Sequence, residues 1–411
     1  MLRARVLLLF LPLLCQPAAA QYAATGISVP ITLSGEAMDT QRPRLNYPGT
    51  NNWAAAFRAV FYPTLKLGSG WFAYSAFEVS SRPYFYYESY DNAGNVDTRV
   101  LQAFLGYTRT TDNKAVSVKV GELTTAFGSF PLRYDDAVNP LLDVPLSYGT
   151  QIKIRPDQLP CGVADLRGQR WFDDVSFSCG GATTENYGLW PATVWGLPGA
   201  EVDFSAHRLD ARFQLTNSSP ANPQVLTSGS QHVQWTAGGG YTIRQGFRVG
   251  FSAYRGPFLE NSVSALLPPG KNSRDYPATG IGVDGKWARG RWSANGEFAW
   301  FQFQYPGFVT SPAVSTGYLE TKAIITPRFY AAFRASALGY NRVEDLQTRS
   351  TTTFQPNQQA YEFAFGIHVN HFQLVKLGYE FLKTSGVAGS GSNVLGVQFV
   401  TSIDALAKAI K

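Results

Sequence analysis

The sequence is poor in charge. Lys, Arg, Asp and Glu make up 16% of its 411 residues, against about 25% in ordinary globular proteins. It has four histidines and three cysteines, too little material for a metallohydrolase or a histidine-based triad, and no cofactor or metal ligand set stands out. No block of Lys or Arg accompanies the net charge of +6, which excludes the basic tails that engage nucleic acid. Beyond the N-terminus no apolar run reaches 18 residues, so no membrane-spanning helix is expected. A sustained period of 3.6 is also missing. What replaces charge is aromatic: 28 Phe, 21 Tyr and 9 Trp, with 45% hydrophobic residues, a composition that argues against disorder.

Residues 1–20 read as a secretory signal peptide. Arg3 and Arg5 precede an apolar run over residues 6–14, and Ala18, Ala19 and Ala20 supply a small-residue cleavage site. The run is half the length that a membrane anchor needs and contains Pro12. Cleavage would leave 33 basic side chains against 29 acids. Cys161 and Cys179 are then the two remaining cysteines, in an oxidising compartment, and are expected to pair. Their bridge would close a 19-residue loop, worth about 3 kcal/mol on the chain-entropy model.

Period-2 alternation recurs in segments of about ten residues along the whole chain. Tyr361, Phe363, Phe365, Ile367 and Val369 alternate with Glu362, Ala364, Gly366, His368 and Asn370, and Trp53, Ala55, Phe57, Ala59 and Phe61 flank Arg58 in the same way. A soluble sandwich and an outer-membrane barrel share this pattern. Three features favour the barrel: apolar faces often end in an aromatic (Trp71, Tyr241, Trp287, Trp292), the polar face is rich in Gly and Ala, and short connections alternate with long ones. Seven short turns are expected, near Tyr62-Pro63, 111–113, Arg208-Leu209, Gln245-Gly246, Arg289-Gly290, Pro327 and Asn370-His371. Eight longer loops fall between them. The expected fold is therefore all-β, a transmembrane antiparallel outer-membrane β-barrel of about sixteen strands over residues 21–402, followed by a short tail, 403–411, that continues at helical spacing.

The third loop, 124–191, is about 68 residues long and rich in aromatics, when loops beyond about 15 residues are usually functional or disordered. It opens with VGELTTAFG at 120–128, followed by Asn139, Pro140, Leu141 and Leu142. Residues 118–148 resemble the segment of the phosphate-selective porin O and P-type family in which a strand ends in an aromatic-glycine turn and the chain folds inward. The resemblance implies a sixteen-stranded outer-membrane barrel, a third loop that narrows the pore, and association of three chains. On that reading Arg133, Asp135, Asp136, Arg155, Arg167 and Arg170 are the constriction candidates, with Asp135 and Asp136 able to neutralise Arg133.

Strand parity places Arg58, Lys119, Arg212, Arg244, Arg248, Lys286, Lys322, Arg334 and Lys376 on the inner face. Nine acids join them, among them Glu297, Glu320 and Glu362. Pairing across neighbouring strands, or a transverse field across a narrow pore, are the two readings of that balance, and neither supports phosphate specificity. His207 and His368 also fall inward by parity. The glycine pattern at 280–285 matches a dinucleotide fingerprint but lies in an alternating strand, where that fingerprint does not work. The expected function is passive diffusion of small hydrophilic solutes through a water-filled barrel in outer-membrane lipid, with no catalysis. An outer-membrane hydrolase or adhesin on a filled barrel, and a secreted carbohydrate-binding β-protein, are the alternatives.

Overall fold

A computed structural model describes residues 26–40, 53–81, 84, 96–150, 152, 154, 156, 159–160, 162–163, 189–192, 195–217, 233–344, 349–386 and 392–404. Its main sheet is a closed antiparallel barrel of sixteen strands. In chain order these are β1 (Gly26–Ser28, resuming as Pro30–Thr40), β2 (Trp53–Phe61, resuming as Thr64–Gly68), β3 (Trp71–Ser81), β4 (Val96–Thr111), β5 (Lys114–Leu123), β6 (Leu197–Ala206), β7 (Leu209–Thr216) and β8 (Gln234–Arg244). Then follow β9 (Phe247–Pro257), β10 (Pro277–Arg289), β11 (Trp292–Phe303), β12 (Ala313–Ile324), β13 (Phe329–Tyr340), β14 (Gln358–His368), β15 (Gln373–Thr384) and β16 (Ser392–Asp404). Each strand pairs with its sequence neighbour, and β16 closes on β1 with Gln398 opposite Glu36. A two-stranded hairpin, Arg342–Glu344 with Thr351–Thr353, stands apart in the loop after β13.

Seven short turns lie at one end of the barrel and the longer connections at the other, so the alternation of connection lengths reports the architecture. The first turn differs from the expected position. Tyr62 and Pro63 interrupt the β2 ladder opposite the break at Val29 in β1, because proline has no N–H to donate; Tyr62 N donates instead to Pro30 O at 2.8 Å. The chain turns seven residues later, where Gly68, Ser69 and Gly70 all take positive φ (89°, 51° and 88°). His207 is likewise corrected: it occupies the β6–β7 turn with φ 51° and is exposed, not inward-facing. Arg244 follows a register shift after Thr242 and is exposed at its turn. Strand β16 runs to Asp404, two residues past the expected end, and residues 1–25 and 405–411 lie outside the described residues.

The wall is inverted relative to a soluble protein. The outward row carries Val120 at 59% exposure, Phe363 at 51% and Phe365 at 58%, while inward Arg58 and Lys376 are at 1% and 0%. Period-2 side-chain direction separates the two faces, and hydrophobic side chains on the outside make physical sense only against an apolar solvent. The glycine pattern at 280–285 lies inside β10, which leads into strand β11 and not into a helix.

Candidate functional site

After Leu123 the chain folds into the barrel, and residues 124–150 run round the inner wall. A backbone removed from water must find partners for its N–H and C=O groups, and the wall side chains supply them in order around the ring. Gln214 of β7 accepts from Ala126 N at 2.8 Å and donates to Thr124 O at 2.6 Å. Ser252 of β9 accepts from Gly128 N at 3.1 Å, and Glu297 of β11 accepts from Ser129 N at 2.9 Å and from the Tyr148 hydroxyl at 2.5 Å. Glu362 of β14 accepts from Leu142 N and Asp143 N at 2.7 and 3.1 Å, while Arg334 of β13 donates to Asp143 O at 2.6 Å. Lys376 of β15 donates to Asp136 O and Leu141 O at 2.7 and 3.0 Å. Wall and loop form one hydrogen-bonded unit.

Apolar contacts fill between these polar anchors. Phe127 packs on Tyr254 and Phe301 with ring centroids 5.4 and 5.3 Å apart, and Phe130 lies against Tyr148 at 5.1 Å. Phe127 is followed by Gly128 at φ +72°, where a Cβ would strike the Tyr148 hydroxyl and the Glu297 carboxylate. The loop can pass that point only as glycine.

The expected constriction residues are divided between two sides of the ring. Arg133 pairs with Glu320 of β12 and donates to the Tyr318 hydroxyl at 3.1 Å. Asp135 and Asp136 do not neutralise it, contrary to expectation, because the short 3-10 turn at Phe130–Arg133 sends them toward β1 and β2. There Asp136 meets Arg58 at 3.2 Å, Ser34 at 2.7 Å and Tyr84 at 2.8 Å, and Asp135 accepts from Tyr62. Burial, and then the adjacent Asp136 charge, hold the Asp135 carboxyl above its ordinary value. Arg155, Arg167, Arg170, Cys161 and Cys179 lie outside the described residues.

All eight expected lining residues, Arg58, Lys119, Arg212, Arg248, Glu297, Arg334, Glu362 and Lys376, sit on the inner face of their strands. Most charges among them are paired. Arg58 meets Glu78 at 2.7 Å, Lys119 meets Glu201 and Asp203 at 2.6 Å each, and Arg334 bridges Glu320 and Glu362. Arg248 lies flat along the wall between Asp210 (2.6 Å) and Asp284 (2.9 Å), in the space left by inward Gly240 and Gly250, whose Cβ atoms would collide with the Arg248 guanidinium and the Asp284 carboxylate. Among the described residues Arg212, Lys286 and Lys322 face inward without an ion pair within 4 Å, although Arg212 lies opposite Asp203 across the ladder; Arg212 donates to Ala126 O at 3.4 Å and Lys322 sits 4.0 Å from the Tyr330 ring centroid. These three cations lie toward the turn end, beneath the loop.

Tyr148, Gln214, Tyr84 and Gln398 hold the loop and were not singled out from the sequence. Inward parity could have found Gln214 and Gln398, but nothing local marks Tyr84 or Tyr148. Gln398 donates to Glu36 at 3.2 Å and to the Tyr84 hydroxyl at 3.0 Å, which ties the β16–β1 seam to the second and third loops. A small polar pocket remains beside the loop, lined by Asp143, Leu146, Arg334, Ser336, Glu362 and Glu380.

A closed antiparallel barrel with an apolar outside, a polar and charged inside and a long loop folded into its lumen defines an outer-membrane β-barrel with a porin-like fold. Solved structures of that type match over nearly the whole chain. The outer membrane channel DcaP of Acinetobacter baumannii superposes with TM-score 0.55 at 11% identity, covering 93% of this chain and 98% of that one. Pseudomonas putida OprB gives TM-score 0.54 at 11% identity over 92% and 94% of the two chains, and an anion-selective porin from Comamonas acidovorans 0.52 at 8% identity over 92% and 99%. No protein-family model and no curated protein matches the chain. At these identities the likeness is one of fold.

Proposed function

We propose that this chain is an outer-membrane porin through which small hydrophilic solutes diffuse passively, with residues 124–150 as the constriction. The observation that carries the reading is the seating of that loop inside the barrel, held by hydrogen bonds from polar and charged side chains of the inner wall. Arg212, Lys286 and Lys322 are the charges left to meet a permeating ion, so anions are modestly favoured below the loop. The resemblance of residues 118–148 to phosphate-selective porins supports the inward loop; a wall this evenly paired gives no basis for phosphate specificity. A Vibrio cholerae outer membrane protein, OmpT, which matches with TM-score 0.51 at 10% identity over 93% of this chain and all of that one, was solved in a trimer form, which supports a homotrimer. The Cys161–Cys179 bridge and cleavage after residue 20 belong to the same reading.

Purified protein in a planar bilayer tests it. Discrete single-channel steps are expected. A wild type that passes no current overturns the porin reading. The fully buried Phe127 and Phe130 would then mark a filled barrel, the scaffold of the hydrolase or adhesin alternative.

A further inference from the structure

The inner charges are largely balanced, yet the turn end of the barrel is not. Five consecutive hairpins, β4–β5 through β12–β13, each carry a cation at that end. Arg109, Lys114, Arg208, Arg244, Arg289, Arg291 and Arg328 are all exposed, and none has an acidic partner among the described residues. Asp112 is the acid within that arc. Neighbouring hairpins stand about 10 Å apart, two strand spacings, so the cations form an arc along the rim and not a single cluster.

Side-chain direction makes the arc a membrane-facing feature. Arg109 pairs in register with outward Val116, Lys114 shares the outward parity of Val116 and Val118, and Arg289 lies opposite outward Trp292. The outward aromatics of this end, Trp71 (48% exposed), Trp292 (58%) and Phe372 (59%), mark the level at which aromatic girdles meet the headgroup region. Arg208 donates from one Nη1 to Ile243 O at 3.1 Å, and Arg291 from Nη1 to Ile325 O at 3.3 Å. Each guanidinium is thereby braced against the next hairpin, while its remaining N–H donors, out of five, are left for an outside acceptor. At the loop end the outward row is mixed in sign, with Asp39 on β1, Arg255 on β9 and Lys383 on β15.

We infer that this rim is a docking surface for anionic phospholipid headgroups of the periplasmic leaflet, which the short-turn end of such a barrel faces. A phosphodiester supplies two non-bridging oxygens sharing a single negative charge, which a guanidinium engages bidentately. Juxtamembrane cations gain electrostatic attraction from anionic lipid, and the gain decays within a Debye length. The annulus around this end would accordingly be enriched in anionic lipid, which neutralises a rim whose self-repulsion nothing in the wall relieves.

The full-length protein is reconstituted in phosphatidylcholine vesicles containing brominated phosphatidylglycerol, and quenching of tryptophan emission gives the relative association constant of the two lipids. A preference of roughly fivefold or more for phosphatidylglycerol is expected, falling toward one in 1 M salt. The combined variant Arg109→Gln, Lys114→Gln, Arg289→Gln, Arg291→Gln should abolish it without changing single-channel conductance. Arg255→Gln with Lys383→Gln, at the loop end, should leave it intact. A constant of one for the wild type overturns the inference, as does an unchanged constant in the four-residue variant. If that variant does not insert, loss of the preference in high salt, with the loop-end variant unaffected, still decides. Charge-dependent sedimentation with purified peptidoglycan, combined with a lipid constant of one, would reassign the rim to the cell wall.

Discussion

Arg58 of β2 and Asp136 of the inward loop lie 3.2 Å apart with both side chains about 1% exposed, although 78 residues separate them in sequence. The pair joins wall to loop beside the barrel seam, where Ser34 of β1 also meets Asp136. Breaking a buried pair by removing one partner leaves an uncompensated charge and costs about 3–5 kcal/mol. Arg58→Met should therefore lower the urea midpoint of the folded barrel in vesicles by an equivalent amount. Arg58→Met combined with Asp136→Asn should lose less than the sum of the two singles, by roughly 1–3 kcal/mol. Strict additivity would show that wall and loop are energetically separate.

Gly128 is the position where the loop can least tolerate a side chain. Its positive φ alone costs a β-branched residue on the order of 1–3 kcal/mol, and the Tyr148 hydroxyl and Glu297 carboxylate occupy the Cβ site. Gly128→Val should unseat this stretch and raise single-channel conductance while the barrel stays folded by heat-modifiable gel mobility. Unchanged conductance would place the constriction elsewhere.

If the barrel conducts as proposed, the inner cations without an ion pair should bias its selectivity. Lys286→Gln with Lys322→Gln should move the reversal potential in a salt gradient toward cations. Arg133→Gln should move it less, because Arg133 is neutralised by Glu320. An equal shift from both variants would mean that the Arg133–Glu320 pair does not survive in the conducting state.

Asp135 gives the loop a signed response to pH. Its carboxyl is held above the ordinary aspartate range near 3.9 by burial and by Asp136. A group with a raised folded-state pKa contributes stability that is fully present below the unfolded value and is lost as pH rises through the folded one. Lowering the pH from neutral toward that range should thus add stability through this group, and Asp135→Asn should flatten the slope. Denaturant midpoints that change in parallel for both proteins across that interval would sink the assignment.

Much of this architecture was legible because inward and outward residues alternate strictly, so parity alone placed Arg58, Lys119, Glu362 and Lys376 on the lumen side. The failures have local causes. Pro63 looks like a turn residue but interrupts a ladder, while the true turn at Ser69 needed knowledge of three successive positive φ values. The partner of Arg133 was hidden because ion pairing between loop and wall is a three-dimensional fact: Asp135 is two residues away in sequence, yet Glu320, 187 residues away, is the group it meets.

The seam between β16 and β1 has a kinetic consequence. Its inward pair, Gln398 and Glu36, is 362 residues apart in sequence and is buttoned from inside by Tyr84, which in turn holds Asp136. Contacts of such separation form only after the entropy of a very large closed loop has been spent. The clasp gains those inner fastenings only if the third loop has already entered. A ring that shut empty would lack the Tyr84–Asp136 tie and should reopen more readily than one that shut full.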